Sequence, residues 1–289
     1  SLFLESVRVT AKGLPLVTTD RHECLMHGPT QRFSCTIRQS TEFAKHQPSR
    51  ERIEGAPVTT RWASIDGSEW LGTAGLGLWI RSNGILQRLT PTDQIASNHV
   101  VAINEWNQSS WFASFDSGLS RLRDGHFTQA PLGPRMLNDL IGTDAGLFVA
   151  TSEGLYVSRD GETFRRDPRV TERFVNDLAY DSRRHVLYAT STNSLWELAL
   201  DRPRAIARVT YQPGGSHSLQ AVDVSPEGTL FLASEDRGVM RREGKRRFVA
   251  FDRLSGYPSS WAIDVLALGG KSALVGSLRH GIYPLEGPN

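Results

Sequence analysis

The sequence predicts an all-β fold, and three observations support this prediction. Apolar and polar residues alternate with a period of two over short runs, as they do in half-buried strands. Turns rich in Gly and Asp separate these runs. A unit then recurs along the chain, and its best copy is Trp70-Leu71-Gly72-Thr73-Ala74-Gly75-Leu76-Gly77-Leu78-Trp79.

The repeat is marked by a Gly-Leu pair, or a close variant of it, that opens the third strand of each unit. The markers begin at Gly77, Gly118, Gly154, Ser194, Gly238 and Gly281. Units of about 40 to 45 residues with four short strands are typical of β-propeller blades. With a degenerate unit at the start of the chain, we expect one seven-bladed β-propeller of four-stranded antiparallel blades.

Each element of the unit has its own signal. The first strand, such as residues 137–141, precedes a short polar turn, and an apolar second strand such as 147–151 suits burial between blades. A third strand follows the marker, and a polar fourth strand such as 163–166 completes the unit. The single domain 1–289 then divides into blades at about 1–38, 57–90, 98–130, 135–167, 173–211, 217–252 and 260–289.

Two regions depart from the regular pattern. The polar stretch 39–56 carries Lys45, Arg50, Glu51, Arg52 and Glu54, so we expect a solvated insertion there. After Tyr283 too few residues remain for a fourth strand. Residues 1–4 could supply that strand, or the first and last blades could pack face to face.

Composition limits the partners. The 33 Lys and Arg against 31 Asp and Glu give a net charge of +2, which argues against an obligatory nucleic acid or anionic membrane partner. No run approaches the ~20 apolar residues of a membrane helix, and residues 1–5 lack the pattern of a secretion signal. Because the chain begins directly in strand-like sequence, we expect a processed or excised form.

The two cysteines fall in one predicted hairpin. A two-residue turn centred on Pro29-Thr30 places Cys24 directly opposite Cys35, close enough for a cross-strand disulfide. Such a bond would favour an extracytoplasmic compartment. The alternative is a pair of buried thiols in one blade.

Two family resemblances follow from the motifs. The run Asp66-Gly67-Ser68-Glu69-Trp70-Leu71-Gly72-Thr73, followed by Gly77-Leu78-Trp79, resembles the repeat of two-component-regulator propellers, the sensor domains found outside the membrane in hybrid bacterial receptors. That resemblance implies a periplasmic or secreted sensor. The run Ser158-Arg159-Asp160-Gly161-Glu162-Thr163-Phe164 resembles the Asp-box of sialidase-like and sortilin-like propellers, which is a structural turn between outer strands.

Chain order also predicts where a ligand would bind. In a propeller, the loops entering the first strands and the turns between second and third strands meet on one face. The entering loops supply the candidate binding residues, which are Arg61, Trp62, His99, Arg135, Arg173, Phe174, His217 and Trp261. Arginines suit carboxylates and aromatic faces suit sugars or cations, so a small molecule, a glycan or a protein partner fits this face.

Function is expected to be binding without catalysis, either by sensing a ligand or by docking a partner. A sialidase-like hydrolase is the leading enzymatic alternative, with Arg61, Arg135 and Arg173 as a carboxylate clamp and Tyr156 and Glu153 as nucleophile and assistant. A lectin is a further alternative, as is a lyase using His99 and His217. No cofactor motif and no metal-ligand spacing occurs.

Two charged sets have competing interpretations. The basic run Arg241, Arg242, Lys245, Arg246 and Arg247 is expected to be a solvated outer strand or a docking patch for an acidic partner. A second set recurs on the first strands, where we expect solvation or, less readily, a metal site; it comprises Asn138, Asp139, Asn176, Asp177, Gln220 and Asp264.

Overall fold

The structure is a computed structural model. It describes residues 4–9, 15–19, 22–27, 32–37, 52–64, 67–89, 95, 97–202, 204–211, 218–245, 247–251, 257, 259–277 and 281–285. In the first four of these ranges, and at 209 and 210, only the backbone is described.

The described residues form seven antiparallel sheets, in which strand order follows chain order. Sheet 1 contains β1 (Leu4–Val9), β2 (Pro15–Thr19), β3 (His22–His27) and β4 (Arg32–Ile37). Sheet 2 contains β5 (Arg52–Ile53), β6 (Ala56–Ala63), β7 (Glu69–Thr73), β8 (Leu78–Ser82) and β9 (Ile85–Leu89). Sheet 3 contains β10 (Val100–Trp106), β11 (Ser109–Ser114), β12 (Gly118–Arg123) and β13 (His126–Gln129).

The remaining sheets repeat this plan. Sheet 4 contains β14 (Leu137–Thr143), β15 (Gly146–Thr151), β16 (Gly154–Ser158) and β17 (Arg165–Arg166). Sheet 5 contains β18 (Val175–Asp181), β19 (Val186–Ser191), β20 (Leu195–Ala199) and β21 (Arg208–Tyr211). Sheet 6 contains β22 (Leu219–Val224), β23 (Leu230–Ser234), β24 (Gly238–Glu243) and β25 (Arg247–Phe251). Sheet 7 contains β26 (Ala262–Gly269), β27 (Ser272–Ser277) and β28 (Gly281–Leu285).

Sheets 2 to 7 pack against one another in sequence. The first long strands β6, β10, β14, β18, β22 and β26 each contact the next. Apolar clusters fill the spaces between consecutive sheets, and the apolar second strands lie within them. Every residue of β15 and of β23 is buried, which agrees with the predicted burial of the second strand.

The polar residues of the first strands join neighbouring sheets. Asn138 and Asn176 donate to the carbonyl oxygens of Val175 and Leu219, each at 2.7 Å. The expectation that these side chains are simply solvated is therefore wrong, because the backbone of the next first strand lies within hydrogen-bond distance.

Three aspartates of the first strands also join neighbouring sheets, as acceptors of backbone N–H groups. Oδ2 of Asp139 accepts from the Leu178 backbone N–H at 3.1 Å, and Oδ2 of Asp177 accepts from that of Val222 at 2.7 Å. Asp223, on β22 of sheet 6, accepts in the same way from the backbone N–H of Ala267 on β26 of sheet 7, at 2.8 Å. Each carboxyl thus bonds a backbone donor that sheet packing would otherwise leave without a partner.

Three features near the chain start bear on the sequence expectations. Cys24 and Cys35 are paired in the β3–β4 register, as the turn position predicted, and the disulfide itself stays a prediction because their side chains lie outside the described part. The end of the predicted insertion is ordered as β5 and the start of β6, where Ile53 is buried against Leu71 and Trp79. The seven-blade count and the blade limits stay predictions.

Candidate ligand-binding face

Two kinds of loop meet at one end of the sheets. We call loop face the loops 97–99, 134–136, 171–174, 218 and 259–261, which enter first strands, together with the turns 74–77, 115–117, 152–153, 192–194 and 235–237 after second strands. Backbone bonds join the two kinds, since the N–H groups of Gly77, Gly118 and Gly238 donate to Asn98, Arg135 and Ser260. These three turns are thereby fixed to the loops that enter the next sheets.

The repeat motif explains how these turns are built. Oγ1 of Thr73, at the end of β7, donates to the carbonyl of Gly77 at 2.7 Å, and Thr151 does the same to Gly154 at 2.8 Å. Gly154 has a φ of 130°, a conformation that side chains rarely adopt. The small hydroxyl residue and the glycine of the repeat therefore form the turn that holds the loop face.

Large apolar side chains are exposed on this face. The exposed fractions are 49% for Phe115, 40% for Met136, 50% for Phe174 and 38% for Trp261. They come from sheets 3, 4, 5 and 7, so the exposure is spread around the face and is not a local defect of one loop. Four of the eight large apolar side chains that are exposed among the described residues thus lie on this face. Exposed apolar groups on one surface are a recognised mark of interaction sites.

Polar groups stand among these apolar side chains. His99 Nδ1 lies 3.2 Å from Asp116 Oδ2, and both side chains are about half exposed. Burial by itself would raise the pKa of Asp116, but hydrogen bonds from Ser97, His99 and Ser117 outweigh it and hold that pKa below the ordinary value. Arg135 and Arg173 are exposed beside Met136 and Phe174.

Buried serines orient two of the entering loops. Ser97 Oγ accepts from the N–H of His99, and Ser259 Oγ accepts from that of Trp261, both at 3.0 Å. Ser97 and Ser259 are 7% and 4% exposed. The side chains of His99 and Trp261 therefore lie on loops whose backbone is held by a buried serine hydroxyl.

Five of the predicted binding residues lie on the loop face, namely His99, Arg135, Arg173, Phe174 and Trp261. His217 lies outside the described residues. Phe115, Asp116 and Met136 also lie on this face, in loops that chain order assigned to it, although they were not among the selected binding residues.

Arg61 and Trp62 do not lie on the loop face, so the prediction that placed them there is wrong. β6 begins at Ala56, and Val58 pairs with Thr73 as Val100 pairs with Ser114, so Arg61 lies well inside the strand. Its guanidinium binds Glu69 at 2.6 Å, near the turn at the opposite end of the sheet. Trp62 packs against the apolar cluster between sheets 2 and 3.

The arrangement does not assemble the arginine clamp of the hydrolase alternative. Arg61 is separated from Arg135 and Arg173, which lie on the loop face. Tyr156 is half-buried and packs against the apolar cluster between sheets 3 and 4. Among the described residues no group of three or more His, Cys, Asp or Glu side chains could hold a metal ion.

The basic run also differs from both expectations. Arg241 is 3% exposed and bonds Glu243 at 2.8 Å, and Arg242 bonds Glu197 of sheet 5 at 2.8 Å. These two side chains are therefore neither solvated nor available to a partner, whereas Lys245 and Arg247 are exposed. Arg246 lies outside the described residues.

The Asp-box forms the structural turn that its sequence indicated. Asp160 Oδ1 accepts the backbone N–H groups of Glu162 and Thr163 at 2.8 Å each and the Ser158 hydroxyl at 3.0 Å. These bonds lower the pKa of Asp160 to about 2. Phe164 then packs edge-on against Trp111 of sheet 3 at a centroid distance of 6.0 Å, so the turn joins two sheets.

Solved structures with the same architecture are numerous, and three are informative. The extracellular domain of BT4673, assigned to a hybrid two component system of B. thetaiotaomicron, superposes with a TM-score of 0.71 at 13% identity over 98% of this chain. The chain is a β-propeller. It spans 38% of the length of that domain.

The other two structures extend the comparison. The extracellular domain of BT3049, assigned to a second hybrid two component system of B. thetaiotaomicron, has a TM-score of 0.67 at 14% identity, covering 97% of this chain and 39% of that one. YCF48 from Cyanidioschyzon merolae has a TM-score of 0.65 at 10% identity, covering 98% and 94%. The likeness to two-component-regulator propellers is thus confirmed for the fold.

Sequence comparison adds no closer relative. No family model matches the chain, and no curated protein is similar to it in sequence. No helix among the described residues is long and apolar enough to cross a membrane.

Proposed function

We propose that this propeller is a non-catalytic binding module that recognises its ligand or protein partner on the loop face. The observation that carries the proposal is the set of four exposed apolar side chains, Phe115, Met136, Phe174 and Trp261. Backbone bonds hold the loops of Phe115, Met136 and Trp261, and the Arg166 side chain donates to carbonyl groups in the loop of Phe174. Exposing them to water costs free energy that burial under a ligand would recover. Aromatic residues and Arg are also the types that most often carry binding energy at interfaces.

The polar groups of the face indicate the ligand's chemistry. Arg135 and Arg173 present forked donors that match a carboxylate, and they flank Met136 and Phe174. A ligand with a carboxylate beside an apolar or sugar ring would satisfy both. Such ligands include an acidic glycan and a peptide with acidic and aromatic side chains.

We further propose that the module acts outside the cytoplasm, as the sensor of a bacterial signalling receptor. The superposition on extracellular domains of two component systems supports it, as does the resemblance of the repeat to regulator propellers. It further predicts that the gene encodes a membrane span and a signalling module beside this chain. A gene that encodes only the propeller would remove the receptor part and leave the binding part.

Binding is tested with two collections of probes, a glycan array that includes acidic sugars and a displayed peptide library. Any binder is then measured against Phe174→Ala, Trp261→Ala and Arg173→Ala. Because truncating a central interface residue costs about 2 kcal/mol or more, each variant should weaken binding by about 10-fold or more. Ile206→Ala is the matched control, since Ile206 is 90% exposed but lies between β20 and β21, off the loop face.

Two results would contradict the proposal. Binders that lose no affinity in the loop-face variants would place recognition elsewhere. Turnover of a fluorogenic sialoside that disappears with Tyr156→Phe would make the protein a hydrolase and restore the enzymatic alternative.

A further inference from the structure

A second recess lies away from the loop face, in the space between sheets 4 and 5. This arginine cleft has a volume of about 440 Å³ and is lined by apolar side chains and by Arg159, Arg165, Arg166 and Arg169. Its volume falls within the ~300–1,000 Å³ of small-molecule sites. Ala145 and Arg159 place its opening at the β14–β15 and β16–β17 turns, which are at the opposite end of the sheet from the loop face.

Two of the four arginines have structural partners. Arg169 forms a two-pronged ion pair with Asp167, with Nη2 at 2.6 Å from Oδ2 and Nε at 2.9 Å from Oδ1, and both side chains are nearly buried. Arg166 donates to the backbone carbonyl of Glu153 at 3.1 Å and to that of Thr171 at 3.2 Å. These two guanidiniums are fixed and hold the wall of the cleft in place.

The other two arginines, Arg159 and Arg165, are exposed, and their guanidinium groups have no hydrogen bond or ion pair within the described part of the chain. The carboxylates that line the cleft cannot serve them, because Asp167 is bound to Arg169 and Asp160 is bound to the backbone of its own turn. With four arginines and two aspartates in its lining, the cleft carries a net charge of +2. Such a site attracts anions.

The floor of the cleft is apolar. Phe148 and Leu200 are 2% and 7% exposed, and Val157 packs against the same cluster. An apolar group of a ligand could therefore rest on this floor while its charged group reaches the two guanidiniums.

The corresponding space between sheets 5 and 6 is charged in a different way. It measures about 570 Å³, and Arg184, Arg208, Arg242 and the exposed Lys245 line it together with Glu197 and Glu227, so its net charge is also +2. Its three arginines have carboxylate partners, since Arg242 binds Glu197 at 2.8 Å, Arg208 lies 4.0 Å from Glu197, and Arg184 binds Asp181 at 3.3 Å. A pair of arginines without carboxylate partners therefore distinguishes the arginine cleft from this neighbouring space.

We infer that the arginine cleft binds a small organic anion, with the anionic group on Arg159 and Arg165 and an apolar body on Phe148, Val157 and Leu200. The anionic group is a carboxylate, sulfonate or phosphate, all of which suit the planar donors of arginine. The site is separate from the loop face and gives the propeller a second ligand.

The test uses 8-anilino-1-naphthalenesulfonate, which joins a sulfonate to an apolar ring system, and its uncharged analogue N-phenyl-1-naphthylamine. Fluorescence titration of the whole chain should show saturable binding of the sulfonate at the arginine cleft; the loop face, which carries Arg173 beside Phe174, can add a second binding component. The double variant Arg159→Gln/Arg165→Gln should raise its Kd by about 10-fold or more and leave the Kd of the uncharged analogue unchanged. Both side chains are exposed, so the fold should be retained, and circular dichroism checks this.

Two control variants localise the signal. Arg208→Gln removes an exposed positive charge from the neighbouring space, and Trp261→Ala removes an aromatic side chain from the loop face. Arg208→Gln should leave the Kd of the cleft component within about twofold, and Trp261→Ala should leave that component unchanged while it weakens any component that arises at the loop face. The inference is overturned if the sulfonate shows no saturable binding, if the double variant binds it as tightly as the wild type, or if Arg208→Gln weakens it equally.

Discussion

Replacing Asp177 with Asn should stabilise the protein at pH 8, and the geometry of the first strands explains why. Oδ2 of Asp177 accepts the Val222 N–H at 2.7 Å, and its carboxyl also shares a hydrogen bond with Asp139. Burial is the main reason that the pKa of Asp177 lies well above its ordinary value, and the charge of Asp139 adds to it. An asparagine can accept the same N–H and donate to Asp139 without a charge.

The raised pKa of Asp139 sets how much the free energy of unfolding depends on pH. Burial raises the pKa of Asp139 from 3.8 to about 7, whereas the unfolded chain keeps the ordinary value. Between these two values the folded state holds the proton and the unfolded state releases it, so the contribution of Asp139 to the free energy of unfolding falls as pH rises and levels off above about pH 7. At about 1.4 kcal/mol per pH unit, the wild type should gain about 3 kcal/mol from pH 8 to pH 5.

Other carboxyl groups do not cancel this gain in that range. Asp160, Glu227 and Glu243 have lowered pKa values, so they lose their stabilising effect only at pH values below the range tested. Asp223, whose pKa burial raises to about 6, acts in the same direction as Asp139.

Urea unfolding followed by tryptophan fluorescence at pH 5 and pH 8 measures both effects. Asp177→Asn should raise the free energy of unfolding at pH 8 by about 1 to 2 kcal/mol, because it removes the buried Asp177 charge and its repulsion of Asp139 but leaves Asp139 buried, and it should reduce the difference between the two pH values. Asp124→Asn is the matched control, since that side chain is 90% exposed. A wild type that is less stable at pH 5, or an Asp177→Asn variant that is less stable at pH 8, would refute the reasoning.

Two further predictions concern the turns and the cysteines. Gly154→Ala should lower the free energy of unfolding by about 2 kcal/mol more than Gly125→Ala. Gly154 has a φ of 130°, which an alanine rarely adopts, whereas the φ of 76° at Gly125 is close to the left-handed helical region, and a Cβ at Gly154 would also displace Arg166 Nε, 2.5 Å away. Equal losses in thermal melts would contradict this difference. For Cys24 and Cys35, thiol titration of the denatured chain should detect no free thiol until a reductant is added. Detection of two free thiols before reductant is added would support the alternative of two buried thiols.

Much of the loop face could be predicted because the repeat sets its geometry locally. A hydroxyl residue bonds a carbonyl three or four residues away, as Thr73 and Thr151 do, and a glycine supplies the positive φ. Aligning these short turns placed His99, Arg135, Arg173, Phe174 and Trp261 on one face without knowledge of the tertiary structure. The same alignment failed at Arg61 and Trp62, where the irregular segment before β6 hid the start of the strand.

The partners of the buried charged residues could not be predicted from the repeat in the same way. Arg242 is bound by Glu197, which lies 45 residues earlier in the chain, and Asp139 is bound by the backbone of Leu178, 39 residues later. Each pair forms only when neighbouring sheets pack, so periodicity within one unit contains no sign of it. Solvation was therefore the natural expectation for side chains that turned out to join sheets.

By itself, the sequence determined the strands, the turns between them and the order of the sheets, because these depend on alternation, turn residues and contacts within one repeat. Only the tertiary structure decided which charges are buried between sheets, which arginines keep a free guanidinium, and which aromatic side chains remain exposed. The physical reason is distance along the chain. Burial and pairing depend on atoms that a neighbouring sheet contributes from about 40 residues away, and the repeat leaves those positions free to vary.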